Sequence, residues 1–152
     1  MSFDTLAPIY GLMERIAAGD RMQRCRVAFL DEIPAPKNIL MLGEGHGRFL
    51  KACRLKFPDA RVTLVDASEG MIAKAKGALS AHDLQSGQVR CIHADVLTWS
   101  PPHAAYDLIV THFFLDCFRP DQLSLIVPSI ASAAMPGASW LLADFEVAPS
   151  GW

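Results

Sequence analysis

Three glycines at alternate positions, Gly43, Gly45 and Gly47, bracket Glu44 and His46 and follow a short apolar run, Ile39 to Leu42. Residues of this kind act through the backbone they leave bare. Glycine permits a tight turn and close approach to a ligand, and the N–H groups opening a following helix favour negative charge. Nineteen positions after Gly47 stands Asp66, at the end of a second apolar run from Arg61 to Val65. In a doubly wound α/β fold a carboxylate at that place accepts ribose hydroxyls. The spacing is Gly-x-Gly-x-Gly, not the Gly-x-Gly-x-x-Gly of the dinucleotide fingerprint. Such a turn also arises simply to pack a helix on a sheet, but its pairing with Asp66 points to a nucleoside-containing ligand.

Two further places carry reactive side chains. Asp95, in Ala94-Asp95-Val96, puts a carboxylate after a third run, Gln88 to His93, either as a ligand contact or as a turn cap. His112 lies in the aromatic stretch Thr111 to Phe118. A proton acceptor tuned near neutral pH could be His112, or else His46 or Tyr10. The plainer expectation for His112 is a partly buried ring packed among Phe113 and Phe114. His82, His93 and His103 lack acidic or cysteine partners at metal-ligand spacing, so no metal is expected.

These residues need elements to hold them. Ile39–Leu42 reads as a strand buried on both faces, which implies a parallel sheet. Leu50, Cys53, Arg54 and Phe57 then share one helical face beyond the glycine turn. Upstream, residues 3 to 32 read as helical, with Phe3, Leu6, Ile9, Tyr10 and Met13 in one pattern and Arg24 to Leu30 in another, divided at Gly19-Asp20. Pro34 and Pro36 end that segment. Tyr10 is polar on an otherwise apolar face and could reach the site. Ser68 is placed to cap a helix running to about Leu79, with Met71 on the inner side of its first turn. Gly87 closes the linker before the third strand. A fourth strand, Tyr106 to Val110, follows Pro101-Pro102, and a helix from Asp121 to Ala133 is expected to kink or break at Pro128. The turn Pro136-Gly137 leads to a fifth strand, Ala138 to Phe145. Alternating strands and helices give a parallel α/β sheet, with ligands beyond the carboxyl ends of its strands.

At 152 residues, half of them apolar, one domain is expected, 1–152, with 1–36 a helical segment and 37–152 the α/β core. A net charge of −2 with scattered Lys and Arg gives no nucleic-acid footprint. No signal peptide is visible, and no apolar run reaches bilayer length. Cys25, Cys53, Cys91 and Cys117 lie far apart without a Cys-x-x-Cys pair, and read as reduced core residues of a cytoplasmic protein.

In order, these stretches resemble class I S-adenosylmethionine-dependent methyltransferases. Leu42-Gly43-Glu44-Gly45-His46-Gly47-Arg48 is similar to the family's first motif, Val65-Asp66-Ala67-Ser68-Glu69-Gly70-Met71 to the second, and His93-Ala94-Asp95-Val96 to the third. Tyr106-Asp107-Leu108-Ile109-Val110 and Met135-Pro136-Gly137-Ala138 resemble the strand-four motif and the turn before strand five. The opening, Phe3 to Tyr10, is similar to the quinone-biosynthesis branch. The resemblance implies a Rossmann-like sheet of order 3-2-1-4-5 and S-adenosylmethionine as cofactor, with S-adenosylhomocysteine as product. By position, Gly43, Glu44, Gly45 and Gly47 would hold the methionine part and Asp66 the ribose hydroxyls. Ala67 and Met71 would border the adenine, Asp95 and Val96 would meet its amino group, and Thr111, His112 and Phe113 would flank the sulfonium, with Tyr10 reaching in.

The chain departs from the family at two points. Met41 stands where an acidic residue is frequent, so a hydrogen bond near the cofactor's amino group is lost or moved to Glu44. The usual antiparallel hairpin of strands six and seven is missing after strand five. A bare apolar edge there implies either a truncated chain or a homo-oligomer, probed by solution scattering. The leading expectation is methyl transfer to a small aromatic or lipid-like acceptor, given Phe113, Phe114 and Phe118. A non-catalytic cofactor-binding or assembly chain, and a nicotinamide-dependent oxidoreductase, are the competing readings.

Overall fold

The computed structural model describes residues 19–145. Tyr10 and the helical pattern of residues 3–18 lie outside them. Helix α1 spans Gly19–Val27, and turns, not a longer helix, occupy residues 28–33; whether Gly19-Asp20 divides two helices depends on residues outside the described ones. Five strands follow: β1 (Asn38–Leu42), β2 (Arg61–Asp66), β3 (Val89–His93), β4 (Tyr106–His112) and β5 (Ala134–Ala143). Their connections carry α2 (Arg48–Lys56), α3 (Glu69–Gly77), α4 (Ala81–Gln85) and α5 (Pro120–Ser132), with one 3-10 turn at Leu115–Cys117. All pairings are parallel and the order is β3-β2-β1-β4-β5, as the resemblance implies.

Pleating divides the core. Ile39, Met41, Val62, Leu64, Leu108 and Val110 pack beneath Phe49, Leu50 and Cys53 of α2 and Ile72 and Ala75 of α3. On the other side, Leu40, Leu42, Val65 and Ile109 pack against Ile126 and Ile130 of α5. Burial on both faces is why the strands read as unbroken apolar runs. Met41 is fully buried in the first cluster and takes no part in any open site. Arg54, on the apolar face of α2, is also buried. It donates to the carbonyls of Ala60 (2.6 Å) and Pro58 (2.7 Å), to Oε1 of Gln88 (2.8 Å) and to Asp83 (2.9 Å). Satisfying its donors is what makes its burial tolerable.

Several boundaries differ from expectation. The segment before β3 holds a short helix, α4, capped by Ser80, whose Oγ accepts from Asp83 N–H at 3.1 Å. Helix α5 runs unbroken through Pro128, which lies exposed while Ile126 and Ile130 anchor the helix to the sheet. A proline on the wet side leaves its orphaned carbonyl to solvent. β4 continues to His112, where it pairs with Ala143. β5 begins at Ala134, not Ala138: between the pairs Tyr106–Ala134 and Leu108–Ser139 it advances five residues against two on β4. Pro136-Gly137 is thus a bulge within the strand, with Gly137 at φ +79°. Of the cysteines, Cys53 is buried, whereas Cys25 and Cys117 are exposed rather than core, because α1 and the 3-10 turn present them outward. No helix among the described residues is long and apolar enough to cross a membrane.

Candidate active site

The carboxyl ends of β2, β1 and β4 are neighbours in the sheet, so residues 43–47, Asp66 and the segment 111–114 share one edge. The three glycines of the first loop all have positive φ, but their surroundings differ. A Cβ on Gly43 would fall 2.2 Å from Cδ2 of Phe114, and one on Gly47 would meet Ala78 Cβ at 2.8 Å and Ala75 Cα at 2.9 Å. A Cβ on Gly45 would meet nothing within 4 Å. The alternatives left open by the sequence therefore divide by residue. Gly43 and Gly47 permit close packing, while Gly45 presents bare backbone to open space.

Glu44 closes the start of α2. Gly47, the residue before that helix, offers no side chain, and Oε1 of Glu44 accepts the N–H groups of Phe49 (2.8 Å) and Leu50 (3.2 Å) instead. Oε2 is buried and has no hydrogen-bond partner among the described residues. Burial pushes this carboxyl up to about 7, against the pull of the Leu50 and Phe49 N–H groups and of the Arg26 charge.

Asp66 ends β2 with Oδ1 accepting the Ser68 N–H at 2.9 Å. Ser68 in turn caps α3, accepting from Met71 N–H at 3.2 Å, and Met71 is half-buried. Ala67 is exposed beside it, its carbonyl 3.0 Å from Nε2 of His93. One strand further out, Asp95 is exposed and turns the chain, with Oδ1 accepting from Leu97 N–H at 2.9 Å; Val96 is half-buried in the second core cluster.

At the end of β4 the side chains face inward. Thr111 is fully buried and accepts the indole N–H of Trp140 at 2.9 Å. The ring of His112 packs edge-on against Phe49, centroids 4.6 Å apart, not among Phe113 and Phe114 as expected. β4 continuing through His112 turns the ring to the α2 side. Its Nδ1 is buried without a hydrogen-bond partner among the described residues, and burial, then the Arg26 charge, lowers its pKa to about 4. Phe113 adopts φ +53°. Its ring packs with Phe145 (4.9 Å) and lies 5.1 Å beneath the guanidinium of Arg26.

Arg26 is a residue beside this sheet edge that the sequence did not reveal. It is a buried cation on α1, remote in sequence from every motif, and its charge acts on both Glu44 and His112. Phe114 was likewise missed as the partner of Gly43. Among the described residues no group of three His, Cys, Asp or Glu side chains could hold a metal ion.

Residues 39–137, more than half of the chain, match the family described as methyltransferase domain. The chain therefore belongs to that family, in the class I, S-adenosylmethionine-dependent branch whose Rossmann-like sheet it carries. It is 32% identical over 120 residues to a trans-aconitate 2-methyltransferase of Variovorax paradoxus, spanning 78% of this chain and 43% of that protein. It is 37% identical over 71 residues to a tRNA1(Val) (adenine(37)-N6)-methyltransferase of Vibrio parahaemolyticus, 47% of this chain and 29% of that protein. The chain thus spans less than half the length of these curated relatives. Among solved structures, the DhpI–SAM–HEP complex superposes with a TM-score of 0.76 at 23% identity, over 93% of this chain and 62% of that one. The 1,6-didemethyltoxoflavin-N1-methyltransferase of Burkholderia thailandensis, solved with bound 1,6-didemethyltoxoflavin and S-adenosylhomocysteine, gives a TM-score of 0.72 at 19% identity, over 91% of this chain and 57% of that one. These likenesses establish the fold.

Proposed function

We propose that the chain binds S-adenosylmethionine along the β2–β1–β4 edge and transfers its methyl group to a small molecule. The observation that carries this is the division of labour among the glycines: of the three in the loop, Gly45 leaves open space above a left-handed turn, one residue from a buried carboxylate oxygen without a partner among the described residues. Asp66 accepts the two ribose hydroxyls, Ala67 and Met71 border the base, and Asp95 with Val96 closes its far side. Gly43, Glu44, Gly45 and Gly47 hold the amino-acid part, and Thr111, His112 and Phe113 support the sulfonium end. Glu44 suits an ammonium group.

When bound, the sulfonium supplies an electrophilic methyl group for in-line displacement. What the protein contributes is alignment and exclusion of water. The buried ring of His112 favours packing over proton transfer, since a weakly basic imidazole wedged on Phe49 has little to offer an acceptor. For the acceptor, Phe113, Phe114 and Phe118 support an aromatic or lipid-like molecule. The Arg26–Phe113 stack favours a second reading, an acidic small molecule, in keeping with the trans-aconitate relatives.

Calorimetric titration with S-adenosylhomocysteine tests the cofactor reading. Micromolar binding, weakened by Asp66→Ala by about 2 kcal/mol or more, is expected for loss of a carboxylate accepting two hydroxyls. A folded protein that binds nothing would leave the non-catalytic reading in the lead.

A further inference from the structure

The opposite, amino-terminal edge of the sheet carries an open cavity of about 290 Å³ lined chiefly by Asn38, Arg61, Thr63, Gln88, Arg90 and Tyr106. Register explains it. Arg61 pairs with Asn38 and Arg90 with Thr63. Alternate strand positions share a face, so these four form a polar ledge continuing the apolar rows of Leu40 and Val65. A parallel sheet is ordinarily covered on both faces. Here the connection from β3 to β4, residues 94–105, contains turns and no helix, and among the described residues the ledge stays open.

The ledge is rich in donors. Neither Arg61 nor Arg90 has a carboxylate within salt-bridge distance among the described residues. Gln88 commits its Oε1 to Nη2 of Arg54 at 2.8 Å, leaving its amide nitrogen to donate. At the same edge, the two oxygens of Asp107 accept the N–H groups of Lys37 (2.8 Å) and Asn38 (2.9 Å). Arg61 and Arg90 stand on adjacent strands two register positions apart, and two guanidinium groups beside amide and hydroxyl donors supply the chemistry that recognises a phosphate group. We propose that this groove binds a small phosphate anion, free or as a monoester on a metabolite-sized molecule, apart from the cofactor edge.

The test is an amide NMR titration of the full chain with inorganic phosphate and, separately, ribose 5-phosphate, at ionic strength held constant with sodium chloride. Expected are saturable shifts confined to residues 61–63 and 88–90, with a dissociation constant below about 1 mM, weakened about tenfold or more in Arg61→Gln/Arg90→Gln. S-adenosylhomocysteine affinity should be the same in the variant and the parent. Tighter binding of the ester assigns the group to a phosphorylated molecule, and equal binding assigns it to free phosphate. Both arginines are exposed, so the double variant is expected to fold; Arg90→Lys, which keeps charge but loses the fork, gives an intermediate loss. Unsaturated or scattered shifts, or shifts unchanged in the double variant, would overturn the proposal. So would binding of a single-stranded oligonucleotide with both phosphate probes silent.

Discussion

The ring of Phe114 occupies the space into which a Cβ on Gly43 would project, its Cδ2 only 2.2 Å from that position. The first glycine of the loop is therefore a packing requirement between β1 and the segment after β4. Gly43→Ala should cost about 2–4 kcal/mol, combining a left-handed backbone penalty with overpacking. Gly45→Ala should cost only about 1 kcal/mol, since its φ of +75° is strained but its surroundings are open. The order reverses for ligand: Gly45→Ala is expected to fold yet to lose most affinity for S-adenosylhomocysteine. Urea melts and calorimetry on the two variants read both halves, and equal destabilisation by the two would contradict the assignment.

Glu44 makes stability depend on pH in a defined sense. Its carboxyl is raised from the ordinary 4.5 to about 7, so the folded state holds the proton more tightly than the unfolded one. The stabilisation it contributes is complete below about pH 4.5 and fades as pH rises through about 7. Glu44→Gln should therefore flatten the fall in stability between pH 4.5 and 7 in denaturant melts. If the wild-type and variant curves stay parallel there, the carboxyl is ionised throughout.

His112 acts in the opposite direction. Its imidazole is lowered from the ordinary 6.5 to about 4, so its contribution is present above pH 6.5 and lost as pH falls toward 4. His112→Gln should reduce stability at pH 7 by about 1–3 kcal/mol through lost packing on Phe49, and should soften acid unfolding between pH 6.5 and 4. Methyl-transfer rate, measured on an accepted substrate, is expected to change by less than about threefold, far short of the loss that removing a general base brings. A hundredfold drop in rate with stability unchanged would restore the catalytic reading.

β5 is an edge strand in the described sheet, and Leu142 and Met135 on it are 57% and 41% exposed. Exposed apolar edges pair with other chains. The chain is expected to self-associate through β5, with Leu142→Lys shifting it toward monomer in small-angle scattering. A monomeric parent protein at high concentration would remove this expectation.

The sequence by itself determined the order and type of nearly every element, because strands buried on both faces must be written as continuous apolar runs and parallel connections need helices between them. It also marked Gly43 to Gly47, Asp66 and Asp95 as edge residues, since turns at strand ends demand glycine and short acidic side chains. What only the tertiary structure decided is how those residues are used. Which glycine faces a ring and which faces open space depends on Phe114 arriving from seventy-one positions downstream of Gly43. The short helix α4 and the bulge in β5 escaped notice because five residues carry no periodicity and a Pro-Gly pair reads as a turn. Arg26 stayed hidden because the charge of one residue on an amphipathic helix looks solvated until packing buries it. Local pattern encodes the scaffold; contacts between distant segments decide the electrostatics of the site.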